Sequence, residues 1–199
     1  MGIIERKQRL RDNTRKDILK AALKIVKQEC WQALSMRKIA ELIEYSAPVI
    51  YEHFENKEAL LTELTQQGFQ HLGHEIDKAR QINNQPSIQL ENMWIAYWDF
   101  AFAEKEYYQL MFGVDTQCSI AKPELNDSEN PAKMFFEVIQ KLMSAKSPTE
   151  DQIAAKYFTM WSAVHGLVAI NLVHKGSTNE INHIVLVDSI KDITNSISS

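Results

Sequence analysis

Residues 33–61 read ALSMRKIAELIEYSAPVIYEHFENKEALL, and the fold of the N-terminal part of the chain follows from them. The stretch holds two short helical patterns joined by a tight turn. Ser35 is a favourable N-cap for the first pattern. The apolar residues that follow recur at helical spacing, which predicts a buried face formed by Met36, Ile39, Ala40 and Ile43.

The second helical pattern begins at Ser46, after the apolar spacing of the first has broken. Pro48 lies in its first turn, where the missing N–H removes no helical hydrogen bond. The spacing of Ile50 and Phe54 predicts that both point inward. Asn56 then caps a further helix. The pattern therefore predicts a helix-turn-helix with one helix before it and one after it.

The preceding helix is predicted to begin at Thr14. Thr14 and Asp17 have the spacing of a capping box. One apolar stripe follows, formed by Ile18, Leu19, Ala22, Leu23 and Val26. Upstream, residues 6–11 read RKQRLR and predict a basic, mobile arm, which fits a DNA-contacting arm and a solvated tail equally well.

The helix-turn-helix predicts binding of double-stranded DNA, because a recognition helix fits the major groove, where base edges differ. The predicted recognition helix spans residues 46–53. The residues predicted to face bases are Ala47, Pro48, Val49, Tyr51 and His53. Those predicted to hold phosphates are Ser35, Arg37, Tyr51 and Lys57. A three-helix core with no role in DNA binding is the alternative.

The net charge is −4, but its sign changes along the chain. Residues 1–57 carry 12 Lys and Arg against 8 Asp and Glu, whereas residues 58–199 carry 10 against 18. The N-terminal part is therefore the part expected to meet a polyanion. A solvated basic helix face gives similar counts.

Residues 14–64 resemble the N-terminal domain of the TetR family of bacterial transcriptional regulators. The resemblance is carried by residues 33–40, 46–54 and 56–61, which match the family in order. It implies a dimeric repressor, or less often an activator, that is controlled by a small ligand.

Three departures from the family pattern affect the predicted turns and the recognition helix. The family usually has glycine where this chain has Cys30 and Glu44. A turn that needs a positive φ costs a residue such as Glu44 about 1 kcal/mol. Ala47 and Pro48 replace a frequent Lys-Gly pair, so base recognition is expected to depend more on apolar contacts.

The rest of the chain predicts further helices, because Gly (6) and Pro (5) are few and alternating β-branched patterns are scarce. We therefore expect an all-α protein of about nine helices. Residues 1–56 are predicted to form the arm and DNA-binding domain, and residues 57–199 a helical ligand-binding and dimerisation domain. The predicted helices of the second domain span residues 57 to about 80, 87–104, 107–112, 131 to about 147, 149–174 and 180–197, with a loop over 113–130.

The second domain resembles the TetR subgroup named for a Trp-His-Gly signature. The resemblance is carried by residues 95–101, 107–113 and 160–167, although Lys105 and Glu106 stand where the subgroup usually has proline. By this likeness the homodimer interface would lie on the last two long helices.

Aromatic and sulfur-containing residues at helical spacing predict an apolar cavity for a small hydrophobic or aromatic ligand. The same spacing is typical of an ordinary core. His165 fits both a structural hydrogen-bonding role and a ligand contact. The candidate ligand-binding residues are Trp94, Trp98, Phe102, Met111, Phe112, Phe135, Phe158, Trp161 and His165.

Other classes of function find little support in the sequence. It has no phosphate-binding glycine loop, nucleophile elbow or His-Glu-x-x-His, so we predict no enzyme, cofactor or metal. His71 and His74 could offer two metal ligands but lack a recognisable third. Cys30 and Cys118 lack metal-like spacing, and Cys30 is predicted to pack in the core of the N-terminal domain.

No apolar run approaches the roughly 20 residues needed to span a bilayer, and no signal peptide is recognisable, which predicts a cytoplasmic protein without a membrane partner. The predicted function is a ligand-responsive regulator that binds an operator as a homodimer. The alternative is a helical protein-interaction module that has lost specific DNA binding.

Overall fold

A computed structural model of the protein describes residues 2–114, 130–174 and 176–198. Cys118, Lys175 and most of the predicted 113–130 loop lie outside these residues. Within them the chain forms nine α-helices and no strand, which confirms the all-α prediction. The helices are α1 (Ile3–Glu29), α2 (Met36–Leu42), α3 (Ala47–His53), α4 (Lys57–Gln81), α5 (Pro86–Ala103), α6 (Lys105–Phe112), α7 (Pro131–Leu142), α8 (Glu150–His174) and α9 (Asn179–Ser198).

The described residues form two compact units that divide within α4, unit 1 ending at Thr65 and unit 2 beginning at Gln66. The boundary predicted between residues 56 and 57 lies at the start of α4 and stays a prediction. α4 contributes residues to both units.

Unit 1 consists of α1, a 3₁₀ turn (Trp31–Ala33), α2, α3 and the first part of α4. The predicted inward face of the helix-turn-helix is confirmed at all but one position. Ile43 is only half-buried, whereas the buried residues are Met36, Ile39, Ala40, Ile50 and Phe54. The predicted caps are present as well. Ser35 Oγ accepts from the Lys38 N–H at 3.2 Å, and Asn56 Oδ1 accepts from the Ala59 N–H at 2.7 Å.

The prediction that the first helix begins at Thr14 was wrong. α1 begins at Ile3, and residues 6–11, predicted to be a mobile arm, form its exposed first turns. These residues include neither glycine nor proline and are mostly good helix formers. The Thr14 hydroxyl donates to the Leu10 carbonyl at 3.0 Å, one turn earlier in the same helix, instead of capping a helix start.

Two turns of unit 1 hold non-glycine residues at positive φ, as the departures from the family pattern indicated. Glu44 has a φ of 59° in the turn between α2 and α3. The Tyr45 N–H donates to the Ala40 carbonyl at 2.9 Å, which is the hydrogen bond of a Schellman motif. Cys30, with a φ of 76° and a ψ of 171°, ends α1 in a region that glycine strongly prefers.

The prediction that Cys30 packs in the core was wrong, since its side chain is exposed. The turn at Cys30 instead directs the next side chain inward. Trp31 is 2% exposed and takes the core position.

Unit 2 is built around α5, which packs against α6, α7, α8 and α9. Its core is aromatic: the rings of Trp94 and Phe135 stack with centroids 4.1 Å apart. Residues of α7 complete this core, although α7 ends at Leu142 and a 3₁₀ turn (Ser144–Lys146) follows. The core also includes Leu72, Ile76, Leu90, Met93, Tyr97, Phe100, Tyr108, Met134, Val138, Ile139, Met160, Val164, Val168, Leu186 and Ile190.

The prediction that no apolar stretch is long enough to span a bilayer does not hold for α8. The stretch Glu150–Val173 is long and apolar enough to cross a membrane by length and composition alone. Only 22% of its apolar window is buried within the chain, so the helix is not simply the core helix of this unit. An exposed apolar face results, here called the α8/α9 apolar face, formed by Phe158, Ile170, Val173, Ile181, Ile184 and Val185.

Candidate functional site

α3 exposes one side to solvent while Ile50, on its other side, is fully buried. Tyr51 is 52% exposed, so its ring and hydroxyl are free to reach another molecule. The residues predicted to face bases differ in exposure. Two of them are exposed, Pro48 and Tyr51, and three are half-buried, Ala47, Val49 and His53.

The predicted phosphate-contacting residues lie on α2 and at the start of α4. The Arg37 side chain is 86% exposed, and its ion pair with Glu41 at 2.9 Å is a surface pair within one helix. Lys57 is half-buried at the first position of α4, and Ser35 caps α2. The helix-turn-helix thus presents an exposed guanidinium beside an exposed recognition helix.

Arg15, which the sequence analysis missed, fixes the C-terminal end of α3. Its Nη1 donates to the His53 carbonyl at 2.5 Å, and its guanidinium forms an ion pair with Glu63 on α4. The same guanidinium lies 4.1 Å from the centroid of the Phe54 ring, a cation–π distance. One charged side chain on α1 therefore joins α3 to α4, and we call this set of four residues the Arg15 clamp.

The clamp also influences His53. Burial lowers the pKa of His53 below 6.5, and the positive charges of Arg11 and Arg15 lower it further. Its Nδ1 is buried and has no hydrogen-bond partner in the part of the chain that the structure describes. His53 is therefore neutral at neutral pH and offers a hydrogen-bonding ring rather than a cation.

In unit 2, the hydroxyl of Tyr97 is the centre of a buried polar network. It accepts from Trp161 Nε1 at 3.1 Å and lies 3.1 Å from the Tyr108 hydroxyl. His165 Nδ1 is 3.0 Å from the Tyr97 hydroxyl and 2.5 Å from that of Tyr108. The network joins α5, α6 and α8. His165 hydrogen-bonds within it, which is one of the two roles that the sequence left open, and a ligand contact stays a prediction.

Burial keeps every member of this network neutral. It raises the pKa of Tyr97 and Tyr108 well above the usual value and lowers the pKa of His165. In one consistent arrangement, the Trp161 indole N–H donates to the Tyr97 hydroxyl. The Tyr97 hydroxyl donates to that of Tyr108, which in turn donates to Nδ1 of His165. This arrangement leaves the proton of the imidazole on Nε2.

The structure divides the candidate ligand-binding residues into three places. Trp94 and Phe135 are stacked in the core, and Met111 is buried against α4. A second group surrounds the imidazole of His165, with the Trp161 ring stacked on it at 4.7 Å and Phe112 and Phe158 close by. Trp98 and Phe102 lie apart from both groups.

Trp98 and Phe102 line a cleft of about 560 Å³, here called the α5/α9 cleft. Its size is in the range of small-molecule sites. The sequence analysis did not predict the polar side of the cleft, because those residues come from distant helices. Its lining is Trp98, Asp99 and Phe102 of α5, Asn171 of α8, and Asn179, Asn182 and His183 of α9.

α4 and α6 approach each other closely at Gly68. A Cβ at this position would lie 2.6 Å from Met111 Sδ and 3.1 Å from the ring of Tyr107. The Tyr107 hydroxyl donates to Gln67 Oε1 at 3.4 Å. The absence of a side chain at Gly68 thus permits this helix contact within unit 2.

Of the two histidines on α4, His71 has other partners. His71 Nε2 lies 3.9 Å from Glu75, and the His71 ring meets Phe100 edge-on at 5.5 Å. Among the residues that the structure describes, no group of three or more potential ligands could hold a metal ion.

Two family sequence profiles match the chain, one in each unit. The profile described as bacterial regulatory proteins of the tetR family matches residues 18–64. The profile described as the tetracyclin repressor-like C-terminal domain matches residues 90–180. The chain belongs to the TetR family.

TetR-family proteins are transcriptional regulators with a DNA-binding N-terminal domain and a ligand-binding C-terminal domain. Repression and dimerisation are typical of the family, which is regulatory. This chain is such a regulator, and α2 and α3 are its helix-turn-helix. The finer assignment to the Trp-His-Gly subgroup stays a prediction.

Solved structures show the same fold. A protein of unknown function from Rhodococcus sp. RHA1 has a TM-score of 0.76 at 18% identity, over 93% of this chain and 95% of that one. A TetR-family regulator from Marinobacter aquaeolei VT8 has a TM-score of 0.67 at 18% identity, over 94% and 97%. The TetR-family repressor FadR of Thermus thermophilus, solved with lauroyl-CoA, has a TM-score of 0.60 at 14% identity, over 92% of each chain. A search of curated proteins found no match.

Proposed function

We propose that this TetR-family regulator represses transcription from a pseudo-palindromic operator, which it binds as a homodimer in the bacterial cytoplasm. The observation that carries the proposal is the exposed side of α3, on which Tyr51 faces solvent. Two such helices would enter major grooves about 34 Å apart, one turn of DNA.

The roles of individual residues follow from their exposure and charge. Pro48, Val49 and Ala47 offer apolar contact to thymine methyl groups, and Tyr51 adds a hydroxyl. Arg37 is the exposed cation for phosphate, supported by Ser35 and Lys57. His53 is neutral and half-buried, so it would act on a base edge or support α3 rather than hold phosphate.

Selection of random duplex DNA on the purified protein tests the operator proposal. The wild type should enrich one inverted repeat, and Tyr51→Ala should bind it about tenfold or more weakly, because each half-site loses a contact of about 1–3 kcal/mol. Tyr51→Phe separates the ring from the hydroxyl.

Tyr45→Ala is the matched control, because Tyr45 is similarly exposed but lies in the turn before α3. It should keep the selected sequence. Failure of the wild type to enrich any sequence at low salt, with and without ligand, would contradict the proposal and favour a protein-interaction module.

For the homodimer, we propose the α8/α9 apolar face as the interface. Six large apolar side chains are exposed there on two adjacent helices, and α8 is mostly unburied along its apolar window. Exposed apolar surface of this extent is typical of an interaction site. Pairing with a second copy would form a four-helix bundle.

Sedimentation of Ile184→Glu tests the interface. A charge at this position should shift the protein toward monomer, since it would be desolvated in the dimer. Ile82→Glu is the control, because Ile82 is exposed on its own beyond the end of α4. A monomeric wild type, or equal sedimentation of the two variants, would contradict this interface.

For the effector, we propose a hydrophobic or aromatic ligand beside Phe112, Trp161 and His165. Half-buried aromatic rings meet there around one imidazole, which supplies a polar group in apolar surroundings. The structural neighbour solved with lauroyl-CoA supports an apolar ligand. Ligand binding would act on the DNA-binding units through α4. The free energy available is limited to the difference in the ligand's affinity between the DNA-binding state and the released state.

Release of the selected operator by lauroyl-CoA, with coenzyme A as the control, tests the effector class. Release by the acyl form alone, weakened in Trp161→Leu, is the expected result. Equal release by both compounds would show that the apolar chain is not what is recognised.

A further inference from the structure

The α5/α9 cleft has one aromatic wall. The rings of Trp98 and Phe102 are one turn apart on α5, with centroids 4.6 Å apart and planes inclined by 52°. Both side chains remain partly exposed to the cleft, so their π faces are not fully covered by the protein. The electron-rich faces of such rings attract cations.

The opposite wall presents hydrogen-bond acceptors. The Asn171 amide donates to the Leu167 carbonyl at 2.8 Å and to Asn182 Oδ1 at 3.2 Å. The Asn182 amide donates to Asn171 Oδ1 at 2.6 Å and to the Ser177 carbonyl at 3.2 Å. Both N–H groups of each amide are therefore used within the protein, and the capacity that remains belongs to the oxygens.

Asp99 lies between the two rings along α5 and brings a negative charge to the cleft. Within the described residues its carboxylate makes no hydrogen bond or ion pair, and His183 is its electrostatic neighbour. Burial raises the pKa of the Asp99 carboxyl, while His183 lowers it. A ligand with a positive charge would compensate for the cost of this partial desolvation by pairing with the carboxylate.

We propose that the α5/α9 cleft binds a small organic ammonium ion. The cationic group would lie against Trp98 and Phe102 beside the carboxylate of Asp99, and its N–H groups would donate to the amide oxygens of Asn171 and Asn182. A volume of about 560 Å³ accommodates an ammonium ion with an attached ring or short chain.

The cleft is separate from the other surfaces for which we propose functions. His183 is two residues from both Ile181 and Val185, which places it on the opposite side of α9 from the α8/α9 apolar face. The cleft shares no residue with that face. It also shares no residue with the group around His165, so it would be a second ligand site with a different chemistry.

Calorimetric titration of the full-length protein with 2-phenylethylammonium tests the proposal, and 2-phenylethanol is the nearly isosteric neutral control. The cation should bind saturably and the alcohol at least about tenfold more weakly. Asp99→Asn should lower affinity for the cation about tenfold without changing that for the alcohol. Trp98→Phe should retain binding, whereas Trp98→Leu should lose most of it.

Equal affinities for the cation and the alcohol, or for the wild type and Asp99→Asn, would overturn the proposal, as would the absence of saturable binding of the cation. A circular dichroism spectrum and a melting temperature like those of the wild type would show that Asp99→Asn is folded. Because the titration involves no DNA, its outcome is distinguishable from that of the operator selection and from that of the test of the effector near His165.

Discussion

In unit 1, Arg15 reaches from α1 to α3 and α4 with a charged side chain that is 40% exposed. In unit 2, Tyr97 joins α5, α6 and α8 through neutral groups buried among aromatic rings. Each side chain holds three helices together. Salt screens the first link and hardly affects the second, because only the first consists of ions near water. The Arg15 link in the unit that meets DNA is thus expected to respond to ionic conditions, and the Tyr97 network in the ligand-binding unit is not.

The largest expected change in folding stability comes from the buried aromatic core of unit 2. Trp94→Ala should lower the free energy of unfolding of unit 2 by about 3–5 kcal/mol, because it removes the ring stacked on Phe135. Urea denaturation followed by near-ultraviolet circular dichroism measures it.

Trp94→Phe is the matched control. It keeps a ring against Phe135 and removes an indole N–H that is buried without a partner among the described residues. We expect a much smaller loss. An Ala variant that loses less than about 1 kcal/mol would show that this stack is not central to the unit.

The next effect concerns the charged link. Arg15→Gln should destabilise unit 1 by about 2–3 kcal/mol, because it removes hydrogen bonds made by an ion to His53 and Glu63. Hydrogen exchange of the α3 amides measures it, and operator affinity should fall as α3 loosens.

Arg37→Gln provides the comparison, because the Arg37–Glu41 pair is fully on the surface. It should leave exchange in α3 unchanged even where it weakens DNA binding. Added salt should accelerate α3 exchange in the wild type more than exchange in α5. Equal responses of the two units to salt would break the comparison.

A third effect concerns the two strained turns of unit 1, at Cys30 and Glu44. Cys30→Gly should raise the free energy of unfolding of unit 1 by about 1–3 kcal/mol, because it relieves an unfavourable φ and the exposed thiol contributes little packing. Glu44→Gly should gain about 1 kcal/mol. Thermal denaturation measures both. A loss of stability in either variant would show that the wild-type side chain makes contacts that outweigh the backbone strain.

The smallest expected effect is a pH dependence of unit 2. Burial lowers the pKa of His165 below 6.5, so the unfolded chain binds a proton more readily than the folded chain. The stability that this residue contributes is complete above about pH 6.5 and decreases as the pH falls below it toward the folded pKa. His165→Gln cannot titrate and should flatten this dependence in urea denaturation of unit 2. The pKa of His53 is also lowered, so the unfolding of unit 1 must be followed by a separate probe.

Much of unit 1 was predictable because its signals are local. The caps Ser35 and Asn56, the inward Ile50 and the strained turn at Glu44 depend on residues a few positions apart. The start of α1 was missed because a threonine with capping-box spacing can also lie inside a helix, where its hydroxyl bonds to the preceding turn.

The sites of unit 2 were less predictable because they join distant parts of the chain. Tyr97 and His165 are 68 positions apart, and no spacing rule connects them. The same holds for Arg15 and Glu63, which are 48 positions apart. Aromatic spacing alone could not separate the buried Trp94 from Trp98 in the cleft, since both lie on α5 one turn apart.

The close contact at Gly68 has a consequence for how this protein can evolve. Any residue larger than glycine at position 68 requires the thioether of Met111 to move and the ring of Tyr107 to give way. Substitutions at these positions are therefore not independent. Among relatives that keep this contact, we expect a larger residue at position 68 to covary with a smaller one at position 111. The two positions would then change as a pair during evolution.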